Sequence, residues 1–77
     1  MQYNNIGKFI RNKRYELDKS MSLNTFAINN DIEPAVLSRI ENCKQGIKLE
    51  VLAKIANGFG LYASELLSEY ESSANSK

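Results

Sequence analysis

The sequence predicts an all-α fold, a bundle of five short helices in a single domain. Apolar residues recur three and four positions apart along most of the chain, which is the spacing of one face of a helix. No segment of useful length alternates between apolar and polar residues, so strands are not expected. A chain of 77 residues has room for one domain. We assign that domain to residues 1–70 and a polar C-terminal tail to residues 71–77.

A polar connection separates the first two predicted helices. The first should begin after Asn4 or Asn5, since asparagine is a favoured N-cap, and should end at the polar stretch 18–20. Ser22 should cap the second helix, and the run 29–31 should end it, because Asn and Asp tolerate the left-handed backbone of a tight turn. The predicted inward residues are Ile6, Phe9, Ile10 and Leu17 of the first helix and Phe26 and Ala27 of the second.

Three further helices are predicted. Pro34 should lie in the first turn of the third helix, where its missing N–H costs nothing. The fourth should end near Gly58 and Gly60, since glycine favours helix ends, and the fifth should cover roughly residues 62–70. The predicted inward residues are Leu37 and Ile40 of the third helix, Leu49, Leu52, Ile55, Ala56 and Phe59 of the fourth, and Leu66 and Leu67 of the fifth.

Composition argues against an enzyme and against a membrane protein. The chain contains no His and a single Cys, Cys43, so a Cys nucleophile would lack the base that normally activates it. No metal site or cofactor is expected from such a set of side chains. No apolar run approaches the roughly 20 residues that span a bilayer, and the first residues lack the apolar core of a signal peptide. We therefore expect a protein of the reducing cytoplasm.

Positive charge is unevenly distributed although the net charge is only +1. Basic side chains are concentrated in residues 1–22, and a second basic stretch covers residues 43–60. Acidic residues outnumber basic ones between these stretches and after them. Such a patterned but weak basic surface permits binding to nucleic acid without requiring it.

The most informative feature is a pair of short predicted helices at residues 22–42, joined by only a few residues. A helix-turn-helix has this arrangement, in which the first helix crosses the DNA backbone and the second enters the major groove. A plain αα-hairpin inside a helical bundle has the same spacing. Spacing alone therefore leaves both interpretations open.

Particular residues favour the helix-turn-helix. The segments SLNTFAINNDIEPAVLSRIENCK and LEVLAKIANGFGLYASELL resemble the Cro and phage-repressor type of helix-turn-helix, often called the XRE family, and the resemblance covers residues 6–67. Ile10 and Arg14 match the apolar anchor and the arginine of helix one, and Phe26-Ala27 match the Leu-Ala pair of helix two. The run SRIEN at residues 38–42 matches the end of the recognition helix. The resemblance implies a lambda-repressor-like DNA-binding domain.

The resemblance also implies roles for individual side chains. Arg14 would pair with Glu41 and fix the angle of the recognition helix, since a planar guanidinium matches a carboxylate. Arg39 would be the main base reader, because Arg most often binds O6 and N7 of guanine. Glu33 would either accept a hydrogen bond from a base or cap the helix. The expected base contacts are Glu33, Pro34, Ala35, Ser38 and Arg39, and the expected phosphate contacts are Ser22, Asn24, Asn42, Lys44 and Lys48.

The sequence departs from the family pattern at several positions. Leu23 replaces a frequent glutamine, so one DNA contact is expected to be lost. Asn30 replaces an apolar residue, Asp31 and Cys43 stand where glycine is common, and the stretch YELDKSM lengthens the first connection. The start of the recognition helix offers few polar base readers. Weak specificity, recognition of DNA shape and a partner-assisted role are therefore all open.

We expect a sequence-specific transcriptional regulator, chiefly a repressor, that binds double-stranded DNA as a homodimer on a pseudo-palindromic operator. The expected dimer surface is the fifth helix with Leu66, Leu67 and Tyr70, although these residues could equally belong to the core of one protomer. The alternative is a helical protein-interaction module, such as an antitoxin-like protein, that keeps the fold with weak or no DNA binding. A protein partner is possible in either case.

Overall fold

The computed structural model describes residues 5–75, which form five α-helices without a strand. The helices are α1 (Ile6–Leu17), α2 (Leu23–Asn29), α3 (Pro34–Glu41), α4 (Leu49–Gly58) and α5 (Ala63–Asn75). The predicted all-α architecture with five helices is confirmed over this range. None of these helices is both long enough and apolar enough to cross a bilayer.

One apolar core holds the helices together. α3 packs against both α1 and α2, and α5 packs against α4. Phe9 on α1 meets Tyr70 on α5 edge to face, with ring centroids 5.4 Å apart, so the last helix also closes onto the first. Fully burying a large apolar side chain stabilises a fold by roughly 1.5–3 kcal/mol. The largest fully buried side chains are Phe26, Ile10, Leu37, Ile40, Ile55 and Leu66.

The helices differ from the sequence prediction at their ends. Leu17 and Leu49 were expected in the core but are 51% and 74% exposed, because each is the terminal residue of its helix. α5 continues to Asn75 instead of ending near residue 70, since neither Gly nor Pro interrupts it. The predicted polar tail is therefore helical up to that residue, and residues 76–77 lie outside the described range.

The predicted N-caps of α1 and α2 behave differently. Asn5 occupies the N-cap position of α1 but makes no capping hydrogen bond with its side chain, and Asn4, the other candidate, lies outside the described residues. Ser22 caps α2 as predicted, because its Oγ accepts a hydrogen bond from the backbone N–H of Thr25 at 3.1 Å. Only the second cap therefore contributes a side-chain hydrogen bond to its helix end.

Three helices, α2, α3 and α4, end in the same way. The residue after each C-cap has a left-handed backbone, with φ of 59° at Asp31, 59° at Cys43 and 74° at Gly60. In each case the N–H groups of this residue and of the next one bond to carbonyl groups in the last turn of the helix. This is the Schellman motif, which normally uses glycine at the left-handed position. Asp31 and Cys43 therefore carry side chains at positions where the left-handed backbone favours glycine.

Side chains reinforce the turn between α2 and α3. Nδ2 of Asn30 donates to the carbonyl oxygen of Phe26 at 2.8 Å. Nζ of Lys54, on α4, donates to the carbonyl oxygen of Asp31 at 3.1 Å and lies 3.4 Å from its Oδ2. Asn30 thus caps a carbonyl group in the last turn of α2, and Asp31 forms an ion pair with α4.

The long connection between α1 and α2 is closed by Asp18. Its Oδ1 accepts hydrogen bonds from the Oγ of Ser20 at 2.6 Å and from the backbone N–H of Ser20 at 2.9 Å. These hydrogen bonds hold the pKa of the Asp18 carboxyl below its usual value, because they favour the ionised form. The extra residues of this connection therefore form a compact local turn.

Replacing Cys43 with glycine is expected to stabilise the protein by up to about 1 kcal/mol, because only glycine adopts the left-handed region without steric cost. The free energy of unfolding should be measured by urea titration for Cys43→Gly and for the control Cys43→Ala. Alanine removes the thiol but keeps the Cβ, so it should give no gain. Equal stabilities of the two variants would show that the backbone conformation of this residue is not the cause.

Candidate nucleic-acid interface

α3 presents two faces of different character. Leu37, Ile40 and Glu41 are buried against the other helices. On the other side, Ala35 and Arg39 are exposed and the remaining residues are partly so. The outer side and start of α3 hold the five residues expected to contact bases, which are Glu33, Pro34, Ala35, Ser38 and Arg39.

The first turn of α3 contains Pro34 at the expected place, and the side chain of Glu33 does not cap the helix. Pro34 lies in the first turn as expected, where its missing N–H leaves no hydrogen bond unmade. Glu33 occupies the N-cap position, is exposed, and makes no capping hydrogen bond with its side chain. Its carboxylate is therefore not committed to the helix end and faces solvent.

A buried ion pair holds the other end of α3 against α1. Nε and Nη2 of Arg14 each donate to one carboxylate oxygen of Glu41, and both distances are 2.8 Å. The two residues are 4% and 3% exposed. The expected pair is thus present, and it has the bidentate geometry that gives the strongest hydrogen bonds between such groups. Nη1 of Arg14 also donates to the carbonyl oxygen of Met21 at 3.2 Å.

The contact with Glu41 favours the charged form of Arg14. The hydrogen bonds that Arg14 donates to Glu41 raise the pKa of the Arg14 guanidinium above its usual value, although burial acts in the opposite direction. A guanidinium is protonated at every pH at which the protein is folded. Among the described residues, no buried side-chain nitrogen or oxygen lacks a hydrogen-bond partner. The buried charges are therefore compensated, which is the condition for tolerating them in a core.

A second arginine on α1, Arg11, was not found by sequence reasoning. Its Nη2 donates to Oδ1 of Asn42 at 2.6 Å, and its Nε lies 3.6 Å from Oε1 of Glu41. Nδ2 of Asn42 in turn donates to the carbonyl oxygen of Ser38 at 2.9 Å. Asn42, expected to contact a phosphate, thus uses its side chain to link α1 to the end of α3. The available signal was that residues 11 and 14 lie three apart, on one side of a helix.

A glycine lets α1 approach α3 closely. A Cβ added to Gly7 would lie 1.9 Å from the carbonyl oxygen of Ile40, so any side chain at this position would force the helices apart. Sequence reasoning did not single this residue out, although a glycine near the start of a helical pattern often has a packing reason. α1 therefore contacts the end of α3 at three successive points, at residues 7, 11 and 14.

The residues expected to contact phosphates are not equally available. Lys44 and Lys48 are exposed in the connection between α3 and α4, and neither has an ion-pair partner among residues 5–75. Asn24 is exposed in the first turn of α2. Ser22 already donates its hydroxyl hydrogen to Oγ1 of Thr25 at 3.0 Å. Leu23 is half-buried against the core.

Two of the three residues expected at a dimer surface lie in the core of the protomer, the other place that the sequence allowed for them. Leu66 is fully buried and Tyr70 is 6% exposed, because α5 covers the core and packs against α1 and α4. Leu67 is only half-buried. It lines a groove of about 750 Å³ between the start of α1, the α3–α4 connection and α5. The other apolar side chains of the groove are Ile6, Ile40, Ile47 and Leu52.

Comparison with known proteins identifies no match: no protein-family model, no curated protein and no solved structure matches this chain. The described residues contain no group of three or more side chains able to hold a metal ion. The surface around α3 carries one arginine, a hydroxyl and small apolar groups. It is flanked by Lys44 and Lys48, for which residues 5–75 supply no ion-pair partner. Such a surface can bind an anionic polymer and contact groups displayed between its charges.

Replacing Glu41 with alanine is expected to cost about 3 kcal/mol of stability, because the buried charge of Arg14 loses its partner. A domain of this size has a total stability of only roughly 3–5 kcal/mol, so the variant should be largely unfolded at physiological temperature. Urea titration followed by far-UV circular dichroism would measure the loss. Glu16→Ala, which removes an exposed carboxylate from α1, is the control and should change stability by less than about 0.5 kcal/mol. A Glu41→Ala variant as stable as this control would contradict an energetic role for the pair.

Proposed function

We propose that this chain is a sequence-specific DNA-binding transcriptional regulator with a lambda-repressor-like helix-turn-helix, acting chiefly as a repressor. The observation that carries the proposal is that α3 is fixed to the protein on one face and exposed on the other. Its inner face is buried against the other helices, and Glu41 at its end is bound to Arg14 of α1. Its outer face is not covered by the described part of the chain. The major groove of B-DNA is about 12 Å wide and admits one such helix. α2, joined to α3 by a short and tightly bonded turn, would cross the DNA backbone.

Base recognition would depend mainly on Arg39. Its side chain is exposed on the outer face of α3 and has no carboxylate partner among the described residues, so its full charge and most of its donors remain available. Ser38 can donate or accept one hydrogen bond. Pro34 and Ala35 offer apolar contact, such as with a thymine methyl group. With so few polar readers, part of the specificity would come from the shape of the duplex.

Affinity for the phosphate backbone would come from the cations that flank α3. Lys44 and Lys48 follow the recognition helix and are free of ion pairs in the described part of the chain. Asn24 is exposed at the start of α2. Each phosphate neutralised by a lysine releases bound counterions and makes the affinity depend on salt.

The regulator would act as a homodimer, with half-sites about one helical turn apart on a pseudo-palindromic operator. Leu66 and Tyr70 belong to the protomer core. Of the three α5 residues expected at the dimer interface, only Leu67 would therefore be available to contact a second protomer. The protein-interaction module remains the second candidate function. The observation in its favour is the groove beside Leu67, whose lining is largely apolar. Duplex binding at low salt discriminates between the two functions.

Replacing Arg39 with alanine is expected to remove discrimination at one base pair, costing about 1–3 kcal/mol at that position. A binding site should first be selected from a library of random duplexes, and affinities then measured by fluorescence anisotropy for the selected site and for its single-base variants. Non-specific affinity should fall much less. An unchanged ratio of specific to non-specific affinity would refute direct reading by this arginine, and a wild-type protein indifferent to every duplex at low salt would refute the proposed function.

Replacing Lys44 with alanine is expected to weaken binding to all duplexes alike and to reduce the slope of log K against log salt by about one unit, because one phosphate contact is lost. The slope should be measured over a range of salt concentrations on selected and random duplexes. Lys13→Ala makes the same charge change at a lysine that pairs with Glu69 on α5. This control should leave the slope nearly unchanged, and an equal effect of both variants would indicate a response to net charge alone.

A further inference from the structure

The guanidinium of Arg39 is held by a residue outside α3. Its Nε donates a hydrogen bond to Oε1 of Gln45, in the connection between α3 and α4. The backbone explains this contact, since the left-handed residue Cys43 turns the chain back and the N–H of Lys44 bonds to the carbonyl oxygen of Arg39 at 2.8 Å. The residue after Lys44 is thereby brought beside the arginine.

We propose that Gln45 is a positioning residue that presents Arg39 to a guanine through the Nη1 and Nη2 end of its guanidinium. The inference rests on the proposed DNA-binding function and adds a second residue to base recognition. A guanidinium is a planar fork with five N–H donors. It can offer two parallel donors either from its Nη1/Nη2 end or from its Nε/Nη2 edge. With Nε bonded to Gln45, the end with both Nη atoms is the pair of donors left for O6 and N7.

An amide suits this task better than a carboxylate. Gln45 is neutral, so it orients Arg39 without cancelling the positive charge that attracts DNA. A glutamate in its place would accept the same hydrogen bond but would bring a negative charge close to the phosphates. Arginine also loses considerable rotamer freedom on binding. A side chain already restrained in the free protein loses less of that freedom, which raises affinity for the site it matches.

A double-mutant cycle tests the proposal, because it separates action through Arg39 from direct contact with DNA. The variants are Gln45→Met, which keeps the chain length and removes the acceptor, Arg39→Ala, and the two combined. Affinities are measured for the selected duplex, for the duplex changed at the base pair that Arg39 reads, and for random duplex. Gln45→Glu is the conservative variant, and Asn57→Ala, an exposed amide on α4, is the matched control.

Gln45→Met should lower affinity for the selected duplex about three- to tenfold, because the arginine must then be immobilised on binding; this is the usual cost of ordering one flexible side chain, converted to a change in affinity. Affinity for random duplex and the salt slope should not change. In the Arg39→Ala background the same substitution should have no further effect. Gln45→Glu should keep the ratio between matched and changed duplex while lowering affinity for all DNA, and Asn57→Ala should resemble the wild type. Melting temperatures verify that each variant is folded.

Four outcomes would overturn the inference. An equal loss from Gln45→Met with and without Arg39 would mean that Gln45 contacts DNA itself. A gain in affinity would mean that Gln45 holds the arginine away from DNA. A wild-type protein that binds no duplex would remove the proposed function together with this inference, whereas specific binding without coupling between residues 39 and 45 would remove this inference alone.

Discussion

The buried pair of Arg14 and Glu41 is the interaction on which the rest of the structure depends. It joins the first helix to the end of the third, and both charges are removed from water. Removing one partner of such a pair costs much more stability than replacing both partners with apolar residues, because the remaining charge stays buried without compensation. The pair therefore does more to fix one arrangement of the helices than to add net stability. The contacts of Gly7 and Arg11 along α1 define the same arrangement, since both lie against the same end of α3.

The ends of the helices contribute the second constraint. α2 and α3 both end with a left-handed residue that carries a side chain, and both turns use that conformation to bring distant groups together. The carboxylate of Asp31 forms an ion pair with the ammonium group of Lys54. The turn at Cys43 places Gln45 beside Arg39. A locally unfavourable backbone is thus retained where the surrounding contacts determine it. In this small domain such turns decide which side chains of the connections meet those of the helices.

The architecture and the proposed DNA-binding surface are connected at the end of α3. Asn42 uses its amide to bond to Arg11 and to the backbone of Ser38, so a residue expected to contact DNA serves the architecture. The outer residues of α3 make few contacts with the protein and are available for a ligand. Because one face of the helix is held by α1 and the other is free, the direction in which Arg39 points is determined by packing on the opposite side. The proposed function depends on this division between the two faces.

The sequence by itself determined the five helices, most of the core, the cap at Ser22 and the turn at residues 29–31, because these features follow from local preferences and from apolar spacing. The left-handed position of Cys43 was expected only through the resemblance, since no local preference of cysteine indicates it. The pairing of residues 14 and 41 was reached through resemblance and was found in the geometry. Tertiary structure alone decided the exposure of Leu17 and Leu49, the burial of Leu66 and Tyr70 and the length of α5. It alone showed which neighbours Gly7, Arg11 and Gln45 contact. The physical reason is that periodicity identifies which face of a helix is apolar, whereas burial and partners depend on which neighbour lies opposite each residue.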